Sequence, residues 1–242
     1  MNYIGLIPAR YNSSRLPGKP LCDLVGKTMI HRVYNAAQKW ANWDKVYVIT
    51  DHELIFKECA RNNIPAIMTR DDHLDCLDRA AEAVDILSSK GIGADRYIII
   101  QGDEPLFNTN SLNTDLSPPI VNFYTETNDN SELYDPNCVK VVITKNKKAL
   151  YFSRYTIPYH ETKTQKGENK LICYKQLGIY SFSQDGLKKY ASLAPSYLEN
   201  IEGIGLNRLL EHDINIDMRH TKYDSISVDT EEDRLRVINL IS

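Results

Sequence analysis

The chain contains no run of about 18 apolar residues, so no segment reads as a membrane-spanning helix. It does not open with a basic region followed by a long apolar one either, and a cytosolic setting is expected. The five cysteines, at 22, 59, 76, 138 and 173, lie far apart, form no CxxC pair and have no histidine at a metal-ligand spacing. That fits a reducing compartment. Excess charge of one sign is missing too. A formal net charge of -3 gives no broad field to hold a polyanion, so neither nucleic acid nor an anionic membrane is an expected partner. Two phosphate-loop signatures are also absent. Only Gly18 stands in the first loop and no Ser or Thr follows Lys19, which excludes a Walker A loop. Gly203-Ile204-Gly205 lacks the third glycine of a dinucleotide fingerprint. There is no internal repeat and no low-complexity segment.

What is present is the composition of an ordinary globular chain: 242 residues, 42% hydrophobic and 25% charged. One α/β domain of roughly 200 to 250 residues is common, so residues 1–242 read as one domain. Short runs rich in Ile and Val at 3–7, 46–50, 64–68 and 97–100 read as strands buried on both faces. Helical spacing separates them, with Met29, Ile30, Val33, Ala36, Ala37 and Trp40 in one segment and Leu77, Ala80, Ala81, Val84 and Leu87 in another. The alternation predicts a mostly parallel sheet with helices on both faces and right-handed crossovers. Ligands then bind beyond the carboxyl ends of the strands, in the loops after Ile7, Thr50 and Ile100. Further on, 108–119 and 125–137 read as polar loops, and 139–144, 149–153, 177–182 and 214–218 as strands. Lys145-Asn146-Lys147-Lys148 reads as a hairpin tip, and 198–210 and 231–241 as helices.

The loop Pro8-Ala9-Arg10-Tyr11-Asn12-Ser13-Ser14-Arg15-Leu16-Pro17-Gly18-Lys19-Pro20 follows the first strand. Three cations, two hydroxyls and a run of backbone N–H groups at the mouth of a parallel sheet suit a triphosphate, whose charge must be balanced before its α-phosphorus is attacked. Pro8, Ala9, Arg10 and Ser14 are therefore candidate substrate-binding residues, and Arg15 and Lys19 candidate catalytic ones. Asp103, in Gln101-Gly102-Asp103-Glu104-Pro105, follows a strand, and Asp229, in Val228-Asp229-Thr230, precedes the last helix. Phosphoryl transfer uses Mg²⁺ held by one or two carboxylates plus the phosphates, so these two are the candidate metal ligands and Asp103 a candidate catalytic residue. Each has a plainer reading beside this one. Asp229 suits a helix N-cap, and Asp103 suits a turn before proline.

Together these segments resemble the CMP-Kdo synthetases (3-deoxy-manno-octulosonate cytidylyltransferases), which activate Kdo for lipopolysaccharide or capsule assembly. The landmarks include Ile7-Pro8-Ala9-Arg10 to Lys19-Pro20-Leu21, Gln101 to Pro105, Asn137 to Val142, Ala149 to Arg154, Leu177-Gly178-Ile179-Tyr180 and Val228-Asp229-Thr230, spread over nearly the whole chain. The resemblance implies that Arg10, Arg15 and Lys19 hold the triphosphate of CTP and that Asp103 and Asp229 hold magnesium. It places Asp78 and Arg79 on the base side, with Gln101, Arg154, Gln176 and Tyr180 toward a small acidic sugar. It also implies a homodimer, with 137–182 as the dimerisation and sugar-side subregion.

Three departures bear on specificity. Asp75-Cys76-Leu77 stands where the family usually has Ser-Gly-Thr, Gln176 where it commonly has His, and Ile204-Gly205-Leu206-Asn207-Arg208 where it commonly has Leu-Glu-Gln-Leu-Arg. The first alters the nucleotide-base side, and the other two remove polar groups expected near the sugar acid, where such groups discriminate strongly between hydroxylated substrates. The expected reaction is transfer of CMP from CTP to a 3-deoxy ulosonic acid, Kdo or a close relative. Transfer to a different acceptor, a modified sugar acid or a phosphate or phosphonate compound, remains open, as does nucleotide binding without turnover.

Overall fold

A computed structural model describes residues 1–13, 15–159 and 172–242. The first apolar run forms β1 (Tyr3–Ala9), and β2 (Lys45–Thr50), β3 (Ala66–Met68) and β4 (Arg96–Ile100) follow the remaining runs. Alternate side chains serve two cores. Leu6, Ile49 and Ile99 point into one, and Ile7, Val48 and Ile100 into the other. Burial on both faces is the reason these strands read as unbroken apolar runs rather than as alternating ones.

Between the strands lie α1 (Met29–Ala37), α2 (Glu53–Arg61) and α3 (Cys76–Ser89). The first and third bury the residues whose spacing predicts them, and Trp40 packs just beyond the end of α1. Helix α2 buries only Ile55 and Cys59, too short a stripe to announce itself. Its start is fixed instead by His52, whose side chain accepts from the N–H of Leu54 at 3.2 Å.

The later half adds β5 (Ile120–Thr127), β6 (Lys140–Ile143), β7 (Ala149–Ser153), β8 (Cys173–Phe182) and β9 (Asp217–His220). The main path of the sheet runs β3-β2-β1-β4-β8-β5-β9, with β6 pairing to β8 and β7 to β6. Strand β8 alone on that path runs against its neighbours, so the sheet is mostly parallel, as the alternation predicts. Lys145 to Lys148 turn between β6 and β7, with the Lys148 N–H and carbonyl both bonded to Thr144.

Three segments differ from the expectation. Strand β5 is not among the expected strands, its residues 125–127 lie where a loop is expected, and Asn130–Leu133 form a short helix, α4. The segment after β8 carries α5 (Gln184–Ser192), which the sequence reading passes over. The late helix is two helices, α6 (Tyr197–Glu202) and α7 (Leu206–Glu211), because Gly203 ends the first in the left-handed region at φ 63. Helix α8 (Glu231–Ile241) closes the described chain. Strand β1 lies between β2 on one side and β4 on the other, so the loops leaving β1 and β4 meet at the point where the winding reverses.

Candidate active site

The loop leaving β1 is folded back on itself by backbone bonds. Gly18 donates to the Tyr11 carbonyl at 3.3 Å and Lys19 to the Leu16 carbonyl at 3.0 Å. Gly18 takes φ 67 there, a conformation that favours glycine. A single 3-10 turn, Lys19–Leu21, with Pro20 buried, then aims the Lys19 side chain inward. Its Nζ lies 2.6 Å from Asp103 Oδ2 and 3.0 Å from Asp229 Oδ1. Burial works against the Lys19 ammonium, but Asp103 and Asp229 outweigh it and hold its pKa above the ordinary value. The lysine is therefore a fixed positive charge.

Arg15 joins the same group. It donates through Nη2 to Asp229 Oδ1 at 2.9 Å and through Nη1 to Asn137 Oδ1. Arg10 is exposed on the rim and makes no ion pair among the described residues. Ser14 lies outside the described residues. The two carboxylates are brought together by backbone: Val228 donates to the Asp103 carbonyl at 2.9 Å. The N-cap of α8 is Thr230, in a capping box with Asp233, which leaves the Asp229 carboxylate to the cations. Gly102 lets the loop after β4 pass close to the end of β1, because a Cβ there would stand 2.3 Å from the Pro8 carbonyl oxygen.

A cavity of about 690 Å³ opens over Lys19, and Pro8, Ala9, Arg10, Arg15, Asp103 and Asp229 line it. Its far wall is Gln101, Tyr180, Gln176 and Arg154. Both glutamine amides face the Tyr180 hydroxyl, at 3.5 Å from Gln101 and 3.2 Å from Gln176. Burial pushes the Tyr180 phenol up, so it stays protonated and serves as a neutral hydrogen-bonding group. Arg154 spends its guanidinium on the backbone carbonyls of Glu202, Pro136 and Gly203, which makes it a brace for this wall.

Two of the expected base-side residues are placed differently. Arg79 is buried and bonds Asp51 Oδ2 at 2.7 Å and Thr69 Oγ1 at 2.7 Å, tying the ends of β2 and β3 together while still touching the cavity. Asp78 turns away from the lining and meets Arg208, whose Nη1 and Nη2 reach its two oxygens at 2.9 and 3.1 Å. Arg208 also donates to Glu199 at 2.6 Å and lies 4.3 Å from the Tyr190 ring centroid. The sequence reading leaves out Glu104, which is buried and accepts from the Gly178 N–H at 3.0 Å, so that it joins the Asp103 loop to β8. It stands inside the quoted Gln101 to Pro105 motif. Its neighbour Asp103 was legible as a charged residue after a strand, whereas the role of Glu104 depends on β8 lying alongside.

Asp103 and Asp229 converge on one cationic point, now held by Lys19, and their oxygens are the hard donors that a divalent cation takes. Among the described residues no group of three or more His, Cys, Asp or Glu side chains is placed to hold a metal. A cation here would therefore be shared with ligand oxygens.

A family model described as Cytidylyltransferase matches residues 4–216. The 3-deoxy-manno-octulosonate cytidylyltransferase of Herminiimonas arsenicoxydans is 39% identical, with 98% of each chain covered. That of Thermodesulfovibrio yellowstonii is 38% identical, with 95% of this chain and 94% of the relative covered. A solved structure of CMP:2-keto-3-deoxy-manno-octonic acid synthetase complexed with CTP superimposes with a TM-score of 0.86 at 35% identity, covering 100% of this chain and 98% of the other.

Proposed function

The chain belongs to the cytidylyltransferase family, and from that premise we propose that it joins the CMP of CTP to 3-deoxy-manno-octulosonate with release of pyrophosphate. The observation that carries this reading is the Lys19 ammonium held between Asp103 and Asp229 on the floor of the cavity. A triphosphate entering over that floor meets Lys19, Arg15 and Arg10 on one side. The first two neutralise charge that moves toward the pyrophosphate as the α-phosphorus is attacked. The acceptor's anomeric hydroxyl forms the new bond to that phosphorus while the bond to pyrophosphate breaks in line. Gln101, Gln176 and the protonated Tyr180 offer neutral hydrogen bonds to the sugar, and Arg154 keeps their wall in place.

Magnesium fits the oxygen donors of Asp103 and Asp229, and when bound it supplies neutralisation of phosphate charge and a lower pKa for the attacking hydroxyl. We assign these two carboxylates to hold it. With the metal on these oxygens, the Lys19 ammonium would be free to pair with phosphate oxygens, as a long flexible side chain permits.

A homodimer built through 137–182 is supported by exposed apolar side chains on adjoining elements. Leu150 on β7, Tyr155 after it, and Tyr197 and Ile201 one turn apart on α6 are all exposed. Strand β7 and helix α6 adjoin through Glu202, which accepts from Tyr151 and Ser153 at 2.8 Å each. Such a patch fits a second copy of the chain. Residues 160–171 of that subregion lie outside the described ones. A cytosolic setting is supported by five free thiols, and among the described residues no helix is long and apolar enough to cross a membrane.

Pyrophosphate release from CTP, magnesium and Kdo tests the reaction directly, with the other three nucleoside triphosphates and other sugar acids as comparisons. Release with CTP and Kdo supports it. Release only with another acceptor, or binding without release, overturns it.

A further inference from the structure

Asp75 serves the fold and still faces the cavity. Its Oδ1 accepts from the N–H groups of Leu77 and Asp78 at 2.9 Å each, which caps α3, and its Oδ2 accepts from the Tyr190 hydroxyl. A carboxylate accepts about four hydrogen bonds, and three are used here. Opposite it stands Gly205. A Cβ at 205 would lie 1.9 Å from Asp75 Oδ2 and 2.5 Å from the Tyr190 hydroxyl oxygen. The Asp75 oxygen thus fills the space where any side chain at 205 would begin.

The two departures from the family pattern, far apart in sequence, are therefore one event in space. At the place where the segments 75–77 and 204–208 meet, this chain carries a carboxylate at 75 and no side chain at 205. The walls on either side, Leu77, Ile204 and Leu206, are apolar, and the Asp75 carboxylate stands among them as a hydrogen-bond acceptor. It is short of counter-charge as well. Burial first, and then Asp78, push its carboxyl up to about 6, and Arg208 is committed to Asp78 and Glu199.

We propose that Asp75 binds hydroxyl groups of the sugar acid from the start of α3, where the missing side chain at Gly205 leaves room for its carboxylate. This rests on the reading of the cavity as a cytidylyltransferase site. The position is a determinant of acceptor specificity, and its partner is the empty place at Gly205.

Asp75→Ser keeps a good helix cap while removing the carboxylate, and Asp75→Ser/Gly205→Glu returns a carboxylate from the other side. Pyrophosphate release is measured with CTP, magnesium and Kdo, varying each substrate in turn, with thermal melts to confirm folding. The expected result is an acceptor KM raised about 10- to 100-fold in Asp75→Ser, with the KM for CTP within about twofold, the size expected for one lost hydrogen-bonding partner. The double variant recovers most of that loss. An acceptor KM that does not move in Asp75→Ser, a KM for CTP that rises equally, or a folded double variant without recovery overturns the inference. Absence of release by the unmodified enzyme with every sugar acid is a separate result, and that one removes the proposed function itself.

Discussion

The N–H of Val228 donates to the carbonyl of Asp103 at 2.9 Å, fastening the last loop of the chain to the loop that leaves β4. This bond sets Asp103 and Asp229 around one lysine although Asp103 lies mid-chain and Asp229 near its C-terminal end. The candidate centre is thus made by backbone, and the side chains inherit their spacing from it. Variants that remove side chains alone are expected to leave the frame standing.

Lys19→Ala tests the floor of the site. We expect turnover to fall on the order of a thousandfold, because a charge aimed at the reacting phosphates is lost where water is largely excluded. Two carboxylates then face each other, with Arg15 paired to Asp229 alone. Magnesium should raise the melting temperature of the variant more than that of the parent enzyme, since it takes the place of the missing cation. Near-normal pyrophosphate release by the variant would refute the assignment.

Metal removal separates chemistry from folding. A chelator should stop pyrophosphate release and leave far-ultraviolet circular dichroism unchanged, with activity returning on addition of magnesium. In Asp103→Asn and Asp229→Asn the magnesium concentration for half-maximal rate should rise about tenfold or more, as one of two hard oxygen donors loses its charge. Full activity in excess chelator would contradict this.

Asp78 and Arg208 give the opposite pattern. Arg208 is 2% exposed and joins Asp78 to Glu199, so Arg208→Leu leaves the buried Glu199 and the half-buried Asp78 without their counter-charge. We expect it to cost about 3–5 kcal/mol in denaturant unfolding. Asp78→Asn should also lower stability while keeping the KM for CTP within about twofold, because Asp78 faces Arg208 and lies outside the cavity lining. A large rise in that KM with unchanged stability would return Asp78 to the base side.

What the sequence makes legible follows from locality. The Arg10 to Lys19 loop, Asp103 and the first four strands each sit beside a short apolar run, and burial on both faces makes such runs plain. Strand β5 hides because it buries Asn122, Thr125 and Thr127, and the Asn122 amide donates to the carbonyls of Leu177 and Ile179 on β8. The break between α6 and α7 hides because it turns on the φ of Gly203. The pairing of Asp78 with Arg208 and the contact of Asp75 with Gly205 join residues on different helices, where no local pattern speaks. The resemblance placed these positions near substrate but could not say which of them face it.

The apolar patch predicts an oligomer. Ile201→Glu combined with Leu150→Glu places charge on α6 and β7 without touching the cavity lining. Light scattering should show a dimer for the parent enzyme and a monomer for the variant, since a buried unpaired charge is strongly unfavourable at an interface. A monomeric parent enzyme would rule out the dimer.

The Asp75 carboxyl gives a prediction whose sign is fixed by linkage. Burial first, and then Asp78, push its carboxyl up to about 6 in the fold, above the ordinary range of an aspartate, so between the two values the folded state binds the extra proton. Stability from this group is greatest below the unfolded value and falls as pH rises toward the folded one, after which the full penalty remains. Asp75→Asn keeps a helix cap and cannot ionise. Its stability relative to the parent enzyme should therefore improve between pH 4 and pH 7, by on the order of 2 kcal/mol. Urea unfolding of both proteins at the two pH values measures this difference. A difference that stays constant would show that Asp75 is fully compensated by Tyr190, Arg208 and the α3 amides, and would remove the shortage of counter-charge from the case for its role in binding the acceptor.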